Sequence, residues 1–415
     1  MRDPAEAAAR AAAEKAARQS YGKLVAYLAA GTRDVAGAED ALAEAFAEAL
    51  RRWPKAGIPD RPEAWLLAVA RRRGIDAARR RATASAGQAH LELLAEEAEA
   101  DMHGHHIPDE RLRLMFVCAH PAIDPAVRAP LMLQTVFGLN AAAIAQAFLV
   151  PPATMSQRLV RAKGRIRDAG IPFHVPEQND FGDRLDAVLE AIYAAYSTGW
   201  ADPAGTDAQR RDLAEEAIWL GRVAVALMPG EAEALGLLAL MLHAESRNRA
   251  RRDASGDFVP LADQDCGLWD ISMIDEAEQI LTRAGQSGTI GRFQIEAAIQ
   301  SAHAARRLTG ETDWPAIRQF YEMLAVLSPS PVVDINRAAA LAETGNALAA
   351  LDLLDSLASD PKLAGYQPYF AARAAVLERL GRSADAGEAY TRAIALEPDP
   401  ALRRFLEQRR DRLTV

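Results

Sequence analysis

Strand-forming sequence is almost missing from this chain. The alternating runs of valine, isoleucine and threonine that build sheets scarcely occur, while alanine, leucine, arginine and glutamate dominate. The expected fold class is all-α. Half of the 415 residues are hydrophobic, so the chain can bury a real core, and its length suits two or three domains.

The formal net charge of -9 is unevenly spread. Residues up to Val175 carry about 24 basic and 20 acidic side chains, the remainder about 24 and 37, so a mildly basic front half is joined to a strongly acidic back half. Cys118 and Cys266 are the two cysteines, which implies no disulfide framework and suits a reducing compartment. The apolar runs are too short to span a bilayer, and Glu14 and Lys15 interrupt the N-terminal alanines where a secretory signal needs an apolar core. The expected location is the cytoplasm, with no membrane partner.

Proline and glycine divide the chain into four expected segments. Residues 1–81 form a helical block cut by the loop from Pro54 to Pro62, with its helices beginning near residue 17. Residues 82–108, rich in small and acidic residues, read as a tether. Residues 109–175 form a second block, stopped by Gly170, Pro172 and Pro176. Residues 176–415 are helical again and contain a repeat, clearest at 331–410. There Ala338, Leu341, Gly345 and Ala350 superimpose on Ala374, Leu377, Gly381 and Ala386 with a shift of 36. Small residues fall where antiparallel helices approach, and glycine falls at the turn between them.

The stretch LNAAAIAQAFLVPPATMSQRLVRAKGRIR (139–167) has the helix-turn-helix pattern. Asn140 can cap a first helix, LVP makes a turn, and Pro152 suits the first turn of a second helix. Met155, Leu159, Ala162 and Ile166 form the buried stripe of that second helix. Thr154, Ser156, Gln157, Arg158, Val160 and Arg161 lie on or beside the opposite face, and these are groups suited to base edges in a major groove. Lys163, Arg165 and Arg167 continue towards phosphates. A second basic helix, PEAWLLAVARRRGIDAARRR (62–81), sets Leu66, Val69, Ala70 and Ala77 inward. It leaves Arg72 and Arg79 in line on the opposite side, with Arg71 beside them and Trp65 near its start. An aromatic ring beside arginines suits unstacked single-stranded DNA, although a tryptophan is more often core. Upstream, Asp40, Glu44 and Glu48 at i, i+4 and i+8 make an acidic stripe, either solvated or a docking face.

Taken together, EDALAEAFAEALRRWP, PEAWLLAVARRRGID, DERLRLMFVCAHPAI and the helix-turn-helix resemble the second and fourth conserved regions of a bacterial RNA polymerase sigma factor of the extracytoplasmic-function type. More narrowly, the chain resembles the subgroup with a long C-terminal extension of tetratricopeptide-like repeats. The resemblance implies three contacts. Asp40, Glu44 and Glu48 dock on core RNA polymerase; Trp65, Arg71, Arg72, Arg79 and Arg80 engage the melted -10 element; Thr154, Ser156, Gln157, Arg158, Arg161 and Lys163 face the -35 element of promoter DNA. Ala43, Ala119 and Ala143 depart from the family pattern, which commonly has glutamine, cysteine and glutamate there.

No P-loop, nucleophile elbow, dinucleotide glycine pattern or paired metal-ligand motif occurs, so neither an enzyme nor a cofactor is expected. Cys118 and His120 diverge on a helix, and His103, His105 and His106 sit in the tether. Surfaces of opposite net sign suggest that the acidic extension makes an intramolecular contact with the front half, and the charged loop at Arg249, Arg251, Arg252, Asp253 and Asp257 is the first candidate for a regulatory contact. The competing expectation is a stand-alone helix-turn-helix regulator or repeat scaffold that does not bind polymerase.

Overall fold

The computed structural model describes residues 4–81, 110–148, 150–171, 173, 182–200 and 208–414, with side chains at 75–81, 146–147, 183, 208–212 and 414 left undescribed. The expected tether at 82–108, with its three histidines, lies outside the described residues. Among the described residues every regular element is helical, and one isolated antiparallel bridge joins Arg252 to Phe258. The all-α expectation holds.

The chain divides into two compact units, one formed by residues 1–199 and 208–220, the other by 200–207 and 221–415. In the first unit, α1 (Pro4–Thr32), α2 (Val35–Ala56) and α3 (Pro62–Arg81) pack together. Helix α1 begins at Pro4, well before the expected start, because Ala9, Ala13 and Ala16 continue its buried face. Pro54 does not break α2. It stands in the last turn, where few backbone hydrogen bonds remain to be lost, and Gly57 at φ 87° ends the helix by donating its N–H to Trp53. On α3, Leu66, Leu67 and Ala70 are buried and Val69 is half-buried, while the side chain of Ala77 lies outside the described residues.

Four shorter helices complete this part: α4 (Arg111–Cys118), α5 (Pro125–Thr135), α6 (Ala141–Ala147) and α7 (Pro152–Asp168). The Asn140 carboxamide oxygen accepts the Ala143 N–H at 2.9 Å, the cap expected of it. Helices α8 (Gly182–Trp200) and α9 (Ala208–Leu227) follow. Up to residues 199 and 220 they belong to the first unit, so the boundary expected near 175 falls within a continuous body. Arg111, on α4, pairs with Glu216 and stacks on the ring of Trp219 at 4.5 Å, while Arg184 donates to the Phe116 carbonyl at 2.7 Å. Trp219 is 41% exposed, with the Arg111 guanidinium over one face of its ring.

The second unit is built around α10 (Ala232–Glu245), which is buried from Ala234 to Ala244 and packs on α11 (Ile271–Gly285) and α12 (Arg292–Ala304). At its start Glu233 accepts the N–H groups of Phe293 and Gln294 at 3.0 and 3.2 Å, covering the open end of α12. Beyond α13 (Arg306–Thr309) and α14 (Trp314–Leu327) come two helical hairpins, α15 (Pro331–Glu343) with α16 (Ala347–Ser356), and α17 (Gln367–Arg379) with α18 (Ser383–Leu396). Their turns hold Gly345 at φ 83° and Gly381 at φ 69°, a backbone region that glycine enters without a Cβ clash. Ala338, Ala350, Ala374 and Ala386 are fully buried at the matched positions, so the pattern of small residues at close helix approaches is realised. Helix α19 (Pro400–Asp411) closes the unit.

Candidate nucleic-acid interface

Helix α7 divides cleanly into two sides. Met155, Leu159, Ala162 and Ile166 are its buried residues, as its periodicity requires. Ser156, Gln157, Arg158 and Arg161 are exposed, Thr154 is half-buried, and Val160 is 71% exposed, an outward methyl-bearing group between two arginines. Arg165 and Arg167 are exposed towards the C-terminal end. Most of the outer face is therefore an open surface of hydrogen-bond donors with one apolar contact, a set that can read base edges and hold phosphates.

Lys163 differs from its neighbours. Its ammonium group pairs with Glu39 of α2, and both side chains are only 14% exposed. Burial raises the Glu39 carboxyl above the usual range, against the opposing effect of Lys163, and the Tyr21 hydroxyl also hydrogen-bonds Glu39. Neither Glu39 nor Tyr21 is marked out by the sequence, since the partner of Glu39 lies 124 residues away.

The acidic stripe on α2 is not uniform. Asp40 and Glu44 are exposed, whereas the half-buried Glu48 is held by Arg51 at 2.7 Å and Arg52 at 2.8 Å, with Arg73 of α3 reaching to 3.9 Å. Arg73 also stands 3.6 Å from Glu44. The open part of the stripe is thus its N-terminal half.

On α3, Trp65 is half-buried and meets Trp53 edge-on, ring centroids 5.5 Å apart. Arg71 donates to the Tyr27 hydroxyl at 2.6 Å and lies over the Tyr27 ring, while Arg72 is exposed. The side chains of Arg79 and Arg80 lie outside the described residues.

Cys118 is fully buried against Thr135, and burial pushes its thiol up to about 12, which leaves it protonated and unreactive. The His120 Nδ1 accepts the Ala122 N–H at 3.1 Å, a turn contact. No cluster of three or more metal-ligand side chains occurs among the described residues. Nor is any helix among them long and apolar enough to cross a membrane.

Residues 17–83 match the model of sigma-70 region 2, which covers α1 from its second half, α2 and α3. Residues 184–285 match a family of unknown function, DUF6596. The chain is 40% identical to the uncharacterized protein R00370 of Rhizobium meliloti (strain 1021), over 96% of this chain and 94% of that protein. It belongs to one family with that relative and carries a sigma-70 region 2. No solved structure matches. In this sigma-70-like chain, the acidic helix and the Trp65 helix both fall inside the matched region, whereas α7 lies outside it.

Proposed function

We propose that the chain is a sigma factor of the extracytoplasmic-function type, which joins core RNA polymerase and directs it to a class of promoters. The observation that carries this reading is the combination, in one unit, of a sigma-70 region 2 with a separate helix-turn-helix whose second helix has an open, donor-rich outer face. Asp40 and Glu44, both open, dock on the polymerase, and Glu48 supports them. Trp65, Arg71, Arg72, Arg79 and Arg80 serve the melted -10 element. Thr154, Ser156, Gln157, Arg158 and Arg161, with Lys163 and the phosphate-facing Arg165 and Arg167, serve the -35 element of duplex DNA. The hairpins at 331–396 act as tetratricopeptide-like repeats that regulate the factor or carry an adaptor surface.

Transcript starts mapped after overproduction supply the promoter. The expected result is run-off RNA from that promoter when the purified chain is added to core polymerase, and none from polymerase alone. Duplex binding without RNA would make the protein a stand-alone helix-turn-helix regulator.

A further inference from the structure

Three polar links tie together the elements at one end of the second unit. Ser301 of α12 donates to Glu278 of α11 at 2.6 Å, Arg307 of α13 pairs with Asp275 of α11 at 3.0 Å, and Arg247, in the turn after α10, donates to Gln300 of α12 at 2.5 Å. His243 of α10 stands among them, 1% exposed, and neither of its ring nitrogens has a hydrogen-bond partner among the described residues. A buried polar atom left in that condition costs about 1–3 kcal/mol, so an unsatisfied imidazole calls for a purpose. Its Nε2 faces the Glu278 Oε1 at 3.5 Å, longer than a hydrogen bond, and that same oxygen accepts from Ser301. A carboxylate oxygen thus stands at the mouth of a seat made by an imidazole, a hydroxyl and two guanidinium groups.

Burial decides the sign of the ligand. Arg247 is buried and the Arg307 side chain is 20% exposed, whereas the side chains of Glu278 and Asp275 are 43% and 57% exposed. A charge removed from water acts through a low dielectric while one in water is screened, so the cations dominate the field inside. Two histidines register it. Burial, then Arg247 and Arg307, pushes His243 down to about 3; burial, then Arg247 and Arg306, pushes His303 of α12 down to about 4; no carboxylate opposes either shift. That field repels a metal cation, and no three metal-ligand side chains meet among the described residues. It attracts an anion.

We propose that the second unit binds a small oxyanion here, a phosphate or carboxylate group, received by the His243 Nε2, the Ser301 hydroxyl and the guanidinium groups of Arg247 and Arg307. The neutral imidazole donates through its Nε2–H, and the arginines supply the charge. In the free chain the Glu278 Oε1 occupies the position of one ligand oxygen. Being half-exposed, that carboxylate swings into water when the ligand enters, and the Ser301 hydroxyl turns to the newcomer. The ligand gathers groups from α10, its following turn, α12 and α13, which lie far apart in the unfolded chain, so only the folded unit binds it. The inference gives the C-terminal extension a ligand of its own and does not depend on the promoter reading.

Calorimetric titration of the full chain, without polymerase or DNA, tests this with inorganic phosphate and, separately, with acetate, at an ionic strength fixed by sodium chloride. Saturable binding of at least one is expected, and the tighter of the two names the source of the oxyanion. Glu278→Gln removes the charge of the internal competitor at nearly unchanged shape and is expected to tighten binding about tenfold, whereas Arg307→Met weakens it about tenfold, the worth of one charge-assisted hydrogen bond. Should Arg307→Met fail to fold, Glu278→Gln still decides, since its side chain is half-exposed. Heats no different from those of sodium chloride for both ions would overturn the proposal. So would equal affinity in the wild type and in Glu278→Gln, which would place the bound ion elsewhere on the surface.

Discussion

Arg161 stands on the open side of α7, where its guanidinium can present two parallel donors to one guanine edge. Under the proposed function, Arg161→Ala costs about 1–3 kcal/mol at one promoter position, read by binding to a panel of single-base variants. Equal loss on every sequence would reduce its role to phosphate contact. Lys163 behaves differently because Glu39 already neutralises it. In the free chain Lys163→Met leaves the salt dependence of duplex binding nearly unchanged, whereas Arg158→Met or Arg165→Met reduces the slope by about 1, checked by titration across salt concentrations. His243 provides a pH test in the second unit. It is 1% exposed, and burial, then Arg247 and Arg307, pushes its imidazole down to about 3. The fold therefore holds it neutral while the unfolded chain takes up a proton near 6.5. The stability tied to the neutral form is present above that pH and is lost as pH falls towards 3. Two units below the ordinary value correspond to about 3 kcal/mol, so melting temperature should fall between pH 7 and 4.5, and His243→Leu should flatten that fall.

Helix α7 was legible because its pattern is local: a proline start, four apolar residues at helical spacing and an outer face of donors all lie within seventeen residues. The charged loop around Arg249 to Asp257 was not, because its partners are far along the chain. Arg252 pairs with Asp399 and Asp257 with Arg404, each 147 residues apart, and Phe258 meets Phe405 edge-on at 5.4 Å. Arg251 is buried over the Trp200 ring at 3.5 Å. Of the charges singled out for a regulatory contact, Arg252 and Asp257 fasten this loop to α19, since polar side chains in a long loop need partners as much as those in a helix. Asp399 has two duties, accepting the Ala401 N–H at 2.9 Å as the α19 cap and neutralising the mostly buried Arg252. Asp399→Ala removes both and is expected to cost about 3 kcal/mol, while Asp399→Asn keeps the cap and costs about 1–2 kcal/mol less, a difference that denaturant melts resolve.

At the scale of the whole chain, the sequence marks the change at Pro176 by glycine and proline, but the break between compact bodies comes later, at 199 to 221. Punctuation in sequence reports where helices stop, not which helices share a core, and among the described residues Arg111 on α4 and Arg184 on α8 tie the earlier helices to the later ones. Those ties make truncation informative. A chain ended at Val175 keeps Arg111, 8% exposed in the intact protein, without Glu216 and Trp219, and leaves the Phe116 carbonyl without Arg184. Removing one partner of a buried pair costs about 3–5 kcal/mol, so this fragment is expected to melt well below one ended at Leu220. The longer fragment contains the whole first unit and separates stability from regulation. If the repeats restrain the factor, the 1–220 chain supports more run-off RNA than the full chain at equal concentration, and if they recruit an activating partner, it supports less in cell extract. Equal RNA in both settings would mean that the second unit has no part in controlling initiation.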